Sequence, residues 1–286
     1  MQDGFRGIWI IQNAPEKPDV VVYYCHGKSF RWQLHLITDP NILGGGFSMG
    51  SNYFYMEFLL AWVTLLQKAG FKNPALFALE YSLVPDTVFP TQIEQAVAAY
   101  KHVLSVVQDP SRICVGGDSA GGTLILSLLL RLAVDPQHTR QVPGLATLIS
   151  PWVVIHSEKN TNTASDYLDS NTLHFYGSQY AGRKVSVHDP NISPGRNRDP
   201  LHWIKATPLY GWSFSFGSEE VLGPEIRDLI AQLKKTGAEV DVNEEFGGIH
   251  AWPVALLYLG EIEEERLKAL KKIVDLMRVK ILLEKI

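Results

Sequence analysis

Ile113-Cys114-Val115-Gly116-Gly117-Asp118-Ser119-Ala120-Gly121-Gly122 runs from one apolar stretch, through a serine bracketed by glycines, into a second apolar stretch that ends at Val134. The first stretch reads as a buried strand and the second as a buried helix, so Ser119 stands on a strand–turn–helix corner of the G-x-S-x-G type. Such a corner forces the serine into a strained backbone, and the residues two before and two after it must be tiny. Here they are Gly117 and Gly121. The helix behind the corner aims its positive end at the serine, and the N–H of Ala120 is placed to donate to an oxyanion.

Outward from this corner, short β-branched runs alternate with helical periodicity. Strands are predicted at Val20–Tyr24, Ala75–Glu80, Ile113–Gly116, Leu145–Ser150, Ser213–Gly217 and Ala238–Glu244. Helices are predicted at Tyr55–Lys68, Pro90–Val106, Gly121–Val134, Pro224–Thr236 and Glu261–Leu283. The alternation implies an α/β fold with a mostly parallel central sheet covered on both faces. Residues 153–207, polar and rich in Asn, Ser and Tyr, interrupt it between two strands and read as a cap-like insert over the strands' carboxyl ends. The 286 residues are 46% apolar with no linker-like stretch, which fits a single domain spanning residues 1–286. With 26 basic and 30 acidic residues and no charge runs, a nucleic-acid surface is excluded and a small-molecule partner is expected. Cys25 and Cys114 lie in apolar runs and read as free thiols.

A serine hydroxyl needs a base. In α/β-hydrolases the chain order is serine, acid, histidine, and of the histidines after Ser119 only His250 lies beyond the last strand, in Phe246-Gly247-Gly248-Ile249-His250-Ala251-Trp252. The acid is expected after the preceding strand, in Gly217-Ser218-Glu219-Glu220-Val221-Leu222, where Glu220 is chosen and Glu219 is the neighbouring alternative. A carboxylate there would fix the tautomer of His250 and stabilise its imidazolium.

These residues resemble the hormone-sensitive-lipase-like branch of the α/β-hydrolase fold, particularly its fungal esterases and deacetylases. Gly117–Gly122 resembles the branch's GDSAGG block; Tyr81-Ser82-Leu83-Val84-Pro85 is similar to its Y-x-L-x-P segment, and Ser150-Pro151-Trp152 to its post-strand block. Glu220-Val221-Leu222 is similar to the D-P-L segment with glutamate for aspartate, and His250 matches the terminal histidine. The resemblance implies hydrolysis of carboxylic esters through an acyl-enzyme, with no cofactor and no metal. Phe47, Met49 and Trp152, with Tyr167 and Tyr176 of the insert, are expected either to line an apolar pocket or to belong to the core.

One segment departs from the family. Its continuous H-G-G-G-F run is split here: His26-Gly27 precedes Lys28–Leu43, and Gly44-Gly45-Gly46-Phe47 follows, a displacement of 17 positions. Gly27-Lys28-Ser29 is not a phosphate loop, because the required earlier glycine is Val22. An ordinary loop insertion is one reading. The other is translated intron: Gly27-Lys28-Ser29 can be encoded with the donor GTAAGT, Thr38-Asp39 with the branch sequence CTGAC, and Leu43-Gly44 with a terminal TAG. Excision keeps frame and joins His26-Gly27 to Gly45-Gly46-Phe47, and since a random insertion need not restore that run, the intron reading is preferred. Gly45, Gly46 and Ala120 are then the expected oxyanion donors.

The interruption leaves a second class open, a noncatalytic ligand-binding or inactive member of the fold; amide or formamide hydrolysis is a close enzymatic variant. The chain opens without a signal peptide and enters Phe5–Ile10 almost at once, so a cytoplasmic protein is expected from this chain, with membrane association only through a missing N-terminal segment.

Overall fold

Among the described residues, seven strands form one sheet in the order β1-β3-β2-β4-β5-β6-β7. They are β1 (Arg6–Ile11), β2 (Val20–Cys25), β3 (Pro74–Glu80), β4 (Ile113–Asp118), β5 (Leu145–Ile149), β6 (Trp212–Gly217) and β7 (Val240–Glu245). The computed structural model describes residues 4–27, 47, 51–135 and 141–283. All six predicted strands are present, within a few residues of their expected bounds. The seventh, β1, escapes the periodicity reading because it is a half-exposed edge strand; it pairs antiparallel with β3, while all other pairings are parallel.

Alternation along β2 divides the core. Val21, Tyr23 and Cys25 face a cluster shared with α2 (Thr91–Val107), α3 (Ala120–Val134) and α6 (Gly223–Lys235), whereas Val20, Val22 and Tyr24 face α1 (Met56–Lys68) and α8 (Glu263–Met277). Every residue of β2 is buried, as a central parallel strand requires. Helix α3 is buried on nearly all sides, which accounts for its continuous apolar sequence. The insert between β5 and β6 carries α4 (Ser170–Ala181) and α5 (Pro200–Ala206), each started by an aspartate side chain, Asp169 and Asp199, that caps a free backbone N–H.

The predicted helix Glu261–Leu283 is α8 followed by a π-helical turn, Arg278–Leu283. A separate short helix, α7 (Trp252–Leu259), precedes it. Among the described residues, no helix is long and apolar enough to cross a membrane.

Candidate active site

Ser119 stands between β4 and α3 with φ 51° and ψ −119°. A non-glycine residue there stores on the order of 1–3 kcal/mol of strain. The strain is held by neighbours: Ser119 N–H donates to Ile149 O at 3.0 Å, and Ser119 O accepts from Trp152 N–H at 2.9 Å. A Cβ on Gly121 would lie 1.9 Å from Cys25 O, and one on Gly117 2.7 Å from the same oxygen. The end of β2 therefore presses on the corner from below, and both bracketing glycines are sterically required. As the first residue of α3, Ala120 carries an N–H with no preceding helical turn to bond, the state an oxyanion donor needs.

Glu220 follows β6 and is buried, its Oε2 accepting from Gly217 N–H at 3.0 Å and from the Ser150 hydroxyl at 2.6 Å. That same Ser150 Oγ accepts from Ala251 N–H at 2.9 Å. One hydroxyl thus links the carboxyl of Glu220 to the peptide that follows His250. The two loops also touch backbone to backbone: Glu219 N–H donates to Gly248 O at 3.0 Å, and a Cβ on Gly217 would lie 2.0 Å from that oxygen. Glu219 itself is half-buried, and its carboxylate accepts from the Ser218 hydroxyl at 3.4 Å, so Glu220 is the glutamate turned to Ser150.

His250 is buried, and the edge of the Tyr167 ring meets it at 5.9 Å between centroids. It shares with Tyr55, Asp118 and Tyr167 a cavity of about 10 Å³, room for a single water. Ser119, Glu220 and His250 therefore all lie just past the carboxyl ends of β4, β6 and β7, the edge of a parallel sheet where ligands bind. A roomier cavity of about 250 Å³, lined among others by Phe89, Ile93, Ser127 and His202, includes none of the three.

Of the aromatic residues expected either in a pocket or in the core, those described lie in the core, apart from Tyr167. Phe47 and Trp152 are fully buried and line none of the described cavities. Phe47 stacks on Tyr180 at 3.6 Å and lies near-parallel to Trp152 at 6.2 Å, an aromatic core rather than a pocket wall. Tyr176 packs against the same core. Tyr167 does border the cavity beside His250. Gly45, Gly46, Met49 and the interruption 28–44 lie outside the described residues.

Sequence reasoning assigned no role to Asp118 or Ser150. The buried Asp118 carboxyl accepts from the Tyr24 hydroxyl at 2.7 Å and from Gly27 N–H at 2.8 Å on Oδ1, and from the Tyr55 hydroxyl at 2.7 Å on Oδ2. It joins the serine corner to the turn that begins the oxyanion segment. Burial raises its pKa, and the three hydrogen bonds pull it back. An ionisable residue inside the apolar run from Ile113 to Leu126 was the available signal.

Burial also pushes the Glu220 carboxyl up, from its ordinary 4.5 to about 8, against the lowering effect of its bonds from Ser150 and Gly217. Across that window the folded chain keeps a proton that the unfolded chain has released, so the contribution of Glu220 to stability falls as pH rises through it. Glu220→Gln removes this dependence. The variant is expected to gain stability relative to the parent between about pH 5 and about pH 8, as read by thermal unfolding at matched pH. A constant difference in melting temperature across that range would contradict the assignment.

Comparison with known proteins agrees with this geometry. Residues 42–254 match the family model described as the alpha/beta hydrolase fold, a match that takes in Gly44–Phe47 and leaves His26-Gly27 outside. An acetyl-hydrolase of Streptomyces hygroscopicus is 31% identical over 215 residues, 73% of this chain and 66% of the relative. Hormone-sensitive lipase of Mus musculus is 35% identical over 156 residues, 52% of this chain and 19% of the lipase. The chain thus spans less than two thirds of the length of these curated relatives. The crystal structure of an esterase from the bacterial hormone-sensitive lipase family superposes with a TM-score of 0.71 at 24% identity, covering 98% of this chain and 86% of that one. A strained serine corner, an acid loop and a histidine loop on this sheet order, with the family match spanning all three, make the chain a member of the α/β-hydrolase fold family, in its hormone-sensitive-lipase-like branch.

Proposed function

We propose that the chain is a serine carboxylester hydrolase for small or lipid-like apolar esters, acetyl esters foremost, working through an acyl-enzyme. The observation that carries this reading is the Ser150 hydroxyl, which ties the Glu220 carboxyl to the His250 loop beside the strained Ser119 corner. In the first half-reaction the Ser119 hydroxyl attacks the ester carbonyl and passes its proton to His250. The tetrahedral oxyanion is met by the amide of Ala120, with Gly45 and Gly46 as the further donors once they directly follow His26-Gly27, and His250 then protonates the departing alkoxide. Water repeats the sequence on the acyl-enzyme, releasing the acid. Glu220 accepts the other ring N–H of His250 and stabilises the imidazolium. Burial alone favours the neutral Glu220 carboxyl, and the ring N–H and imidazolium of His250 favour its charged form, so the carboxylate that the reaction needs is the one held by His250. The acetyl preference rests on the name of the Streptomyces relative.

Labelling with a fluorophosphonate probe tests this reading. The parent is expected to label at one site and Ser119→Ala to remain unlabelled. Labelling that persists in Ser119→Ala would show a different nucleophile. A folded parent that never labels would favour the noncatalytic reading, for which the interrupted glycine segment is the specific observation.

A further inference from the structure

The insert between β5 and β6 grips both loops of the proposed site through one short segment, residues 163–167. The Thr163 hydroxyl donates to Glu219 O at 2.7 Å and accepts from Asp166 N–H at 3.1 Å. The Asp166 carboxylate then divides between the two loops: Oδ2 accepts from Val221 N–H at 2.8 Å, and Oδ1 accepts from His250 N–H at 3.1 Å. The Tyr167 hydroxyl donates to His250 O at 3.3 Å, and its ring meets the imidazole edge-on. Four hydrogen bonds thus reach the residues on either side of Glu220 and both backbone polar groups of His250. Ser150 links the same two loops from the sheet side, and within the acid loop the Ser218 hydroxyl oxygen accepts from Gly247 N–H at 2.9 Å.

We infer that Asp166 is a positioning residue, by which the insert sets the register of His250 against Glu220. This inference rests on the proposed hydrolase mechanism. The geometry requires an acceptor with two oxygens at this point: two N–H groups from different loops, neither in a strand or helix, converge on one carboxylate. Its removal frees both loops at once, and a displacement of about 1 Å at a reacting group can cost roughly 100-fold in rate. Asparagine offers one acceptor oxygen and one amide donor, so it can hold only one of the two N–H groups. The insert is on this account part of the apparatus that aligns the base as well as a cover.

The test uses fluorophosphonate labelling of the 286-residue chain, with the first-order labelling rate at saturating probe separated from the half-saturating concentration. For Asp166→Ala the saturated rate per labelled site is expected to fall between about 10-fold and about 100-fold, with half-saturation unchanged. Asp166→Asn should fall in between, and each variant should still label to one equivalent. An unchanged rate per site with fewer labelled sites means a merely structural role and overturns the inference, as does an unchanged rate with full labelling. If the parent itself is not labelled, the hydrolase reading falls and this inference with it; if the parent labels and Asp166→Ala labels equally fast, this inference alone falls.

Discussion

Removing residues 28–44 is expected to raise kcat/KM on a short p-nitrophenyl ester by roughly 100-fold to 1,000-fold, the amount associated with restoring one oxyanion donor. The deletion joins His26-Gly27 directly to Gly45-Gly46-Phe47. The described flanks share one support. The ring of His26 stacks on Tyr81 at 4.7 Å, and the Tyr81 hydroxyl donates to His26 O at 2.9 Å. Phe47 meets the same Tyr81 ring edge-on at 6.2 Å, while Phe47 O accepts from Val84 N–H at 3.0 Å. Both sides of the interruption thus rest on the Tyr81–Pro85 segment, and three peptide links across two glycines reach up to about 11 Å. Equal turnover by the deleted and parent chains would refute the expectation. The genomic sequence at codon 27 bears independently on the intron reading, which fails if no splice donor is present there.

Asp118→Ala is expected to lower stability by about 3–5 kcal/mol, because it strands three buried donors, each costing about 1–3 kcal/mol when unsatisfied, less the relief of no longer burying a carboxyl. Those donors are the hydroxyls of Tyr24 and Tyr55 and the N–H of Gly27. Asp118→Asn is the informative companion. Its oxygen can keep the Tyr24 and Gly27 bonds, and the Tyr55 hydroxyl can rotate to accept from the new amide, so a loss of about 1 kcal/mol is expected. Urea unfolding of the three proteins measures this. An Asp118→Ala variant within 1 kcal/mol of the parent would mean that the network is not a structural hub. Tyr24 and Tyr55 come from opposite sides of the interruption, one in β2 and one just before α1, so the same melt reports how firmly this corner is anchored.

The serine corner was readable because its signal is contiguous: Gly117, Ser119 and Gly121 stand together, and the apolar runs on either side identify the strand and helix, although the atoms that exclude a side chain at Gly121 belong to Cys25 and His26 at the end of β2. Glu220 and His250 were chosen by chain order, and what distinguishes Glu220 from Glu219 is its burial together with the bond from Ser150. What the sequence could not reveal are contacts made across long separations: Ser150 to Glu220, Asp166 to His250 and Asp118 to Tyr24 depend on the finished sheet bringing distant loops together. Phe47 and Trp152 illustrate a different limit, since a large aromatic near a corner suits a pocket wall and a core equally until its neighbours are known. Strand β1 carries a glycine and an exposed start, and α7 is only eight residues long, so neither gives a strong periodic signal.

Tyr81 grips the flanks of the interruption separately, His26 by stacking and Phe47 by its ring edge. Lengthening a chain between two independently held ends is thermodynamically cheap, about 0.6 kcal/mol per doubling. Selection for stable, soluble protein is therefore nearly blind to extra residues at this joint, whereas selection for turnover is acutely sensitive to them. A lineage could accumulate such residues and retain an abundant, well-folded product whose chemistry has been silenced, and a single in-frame loss would return it.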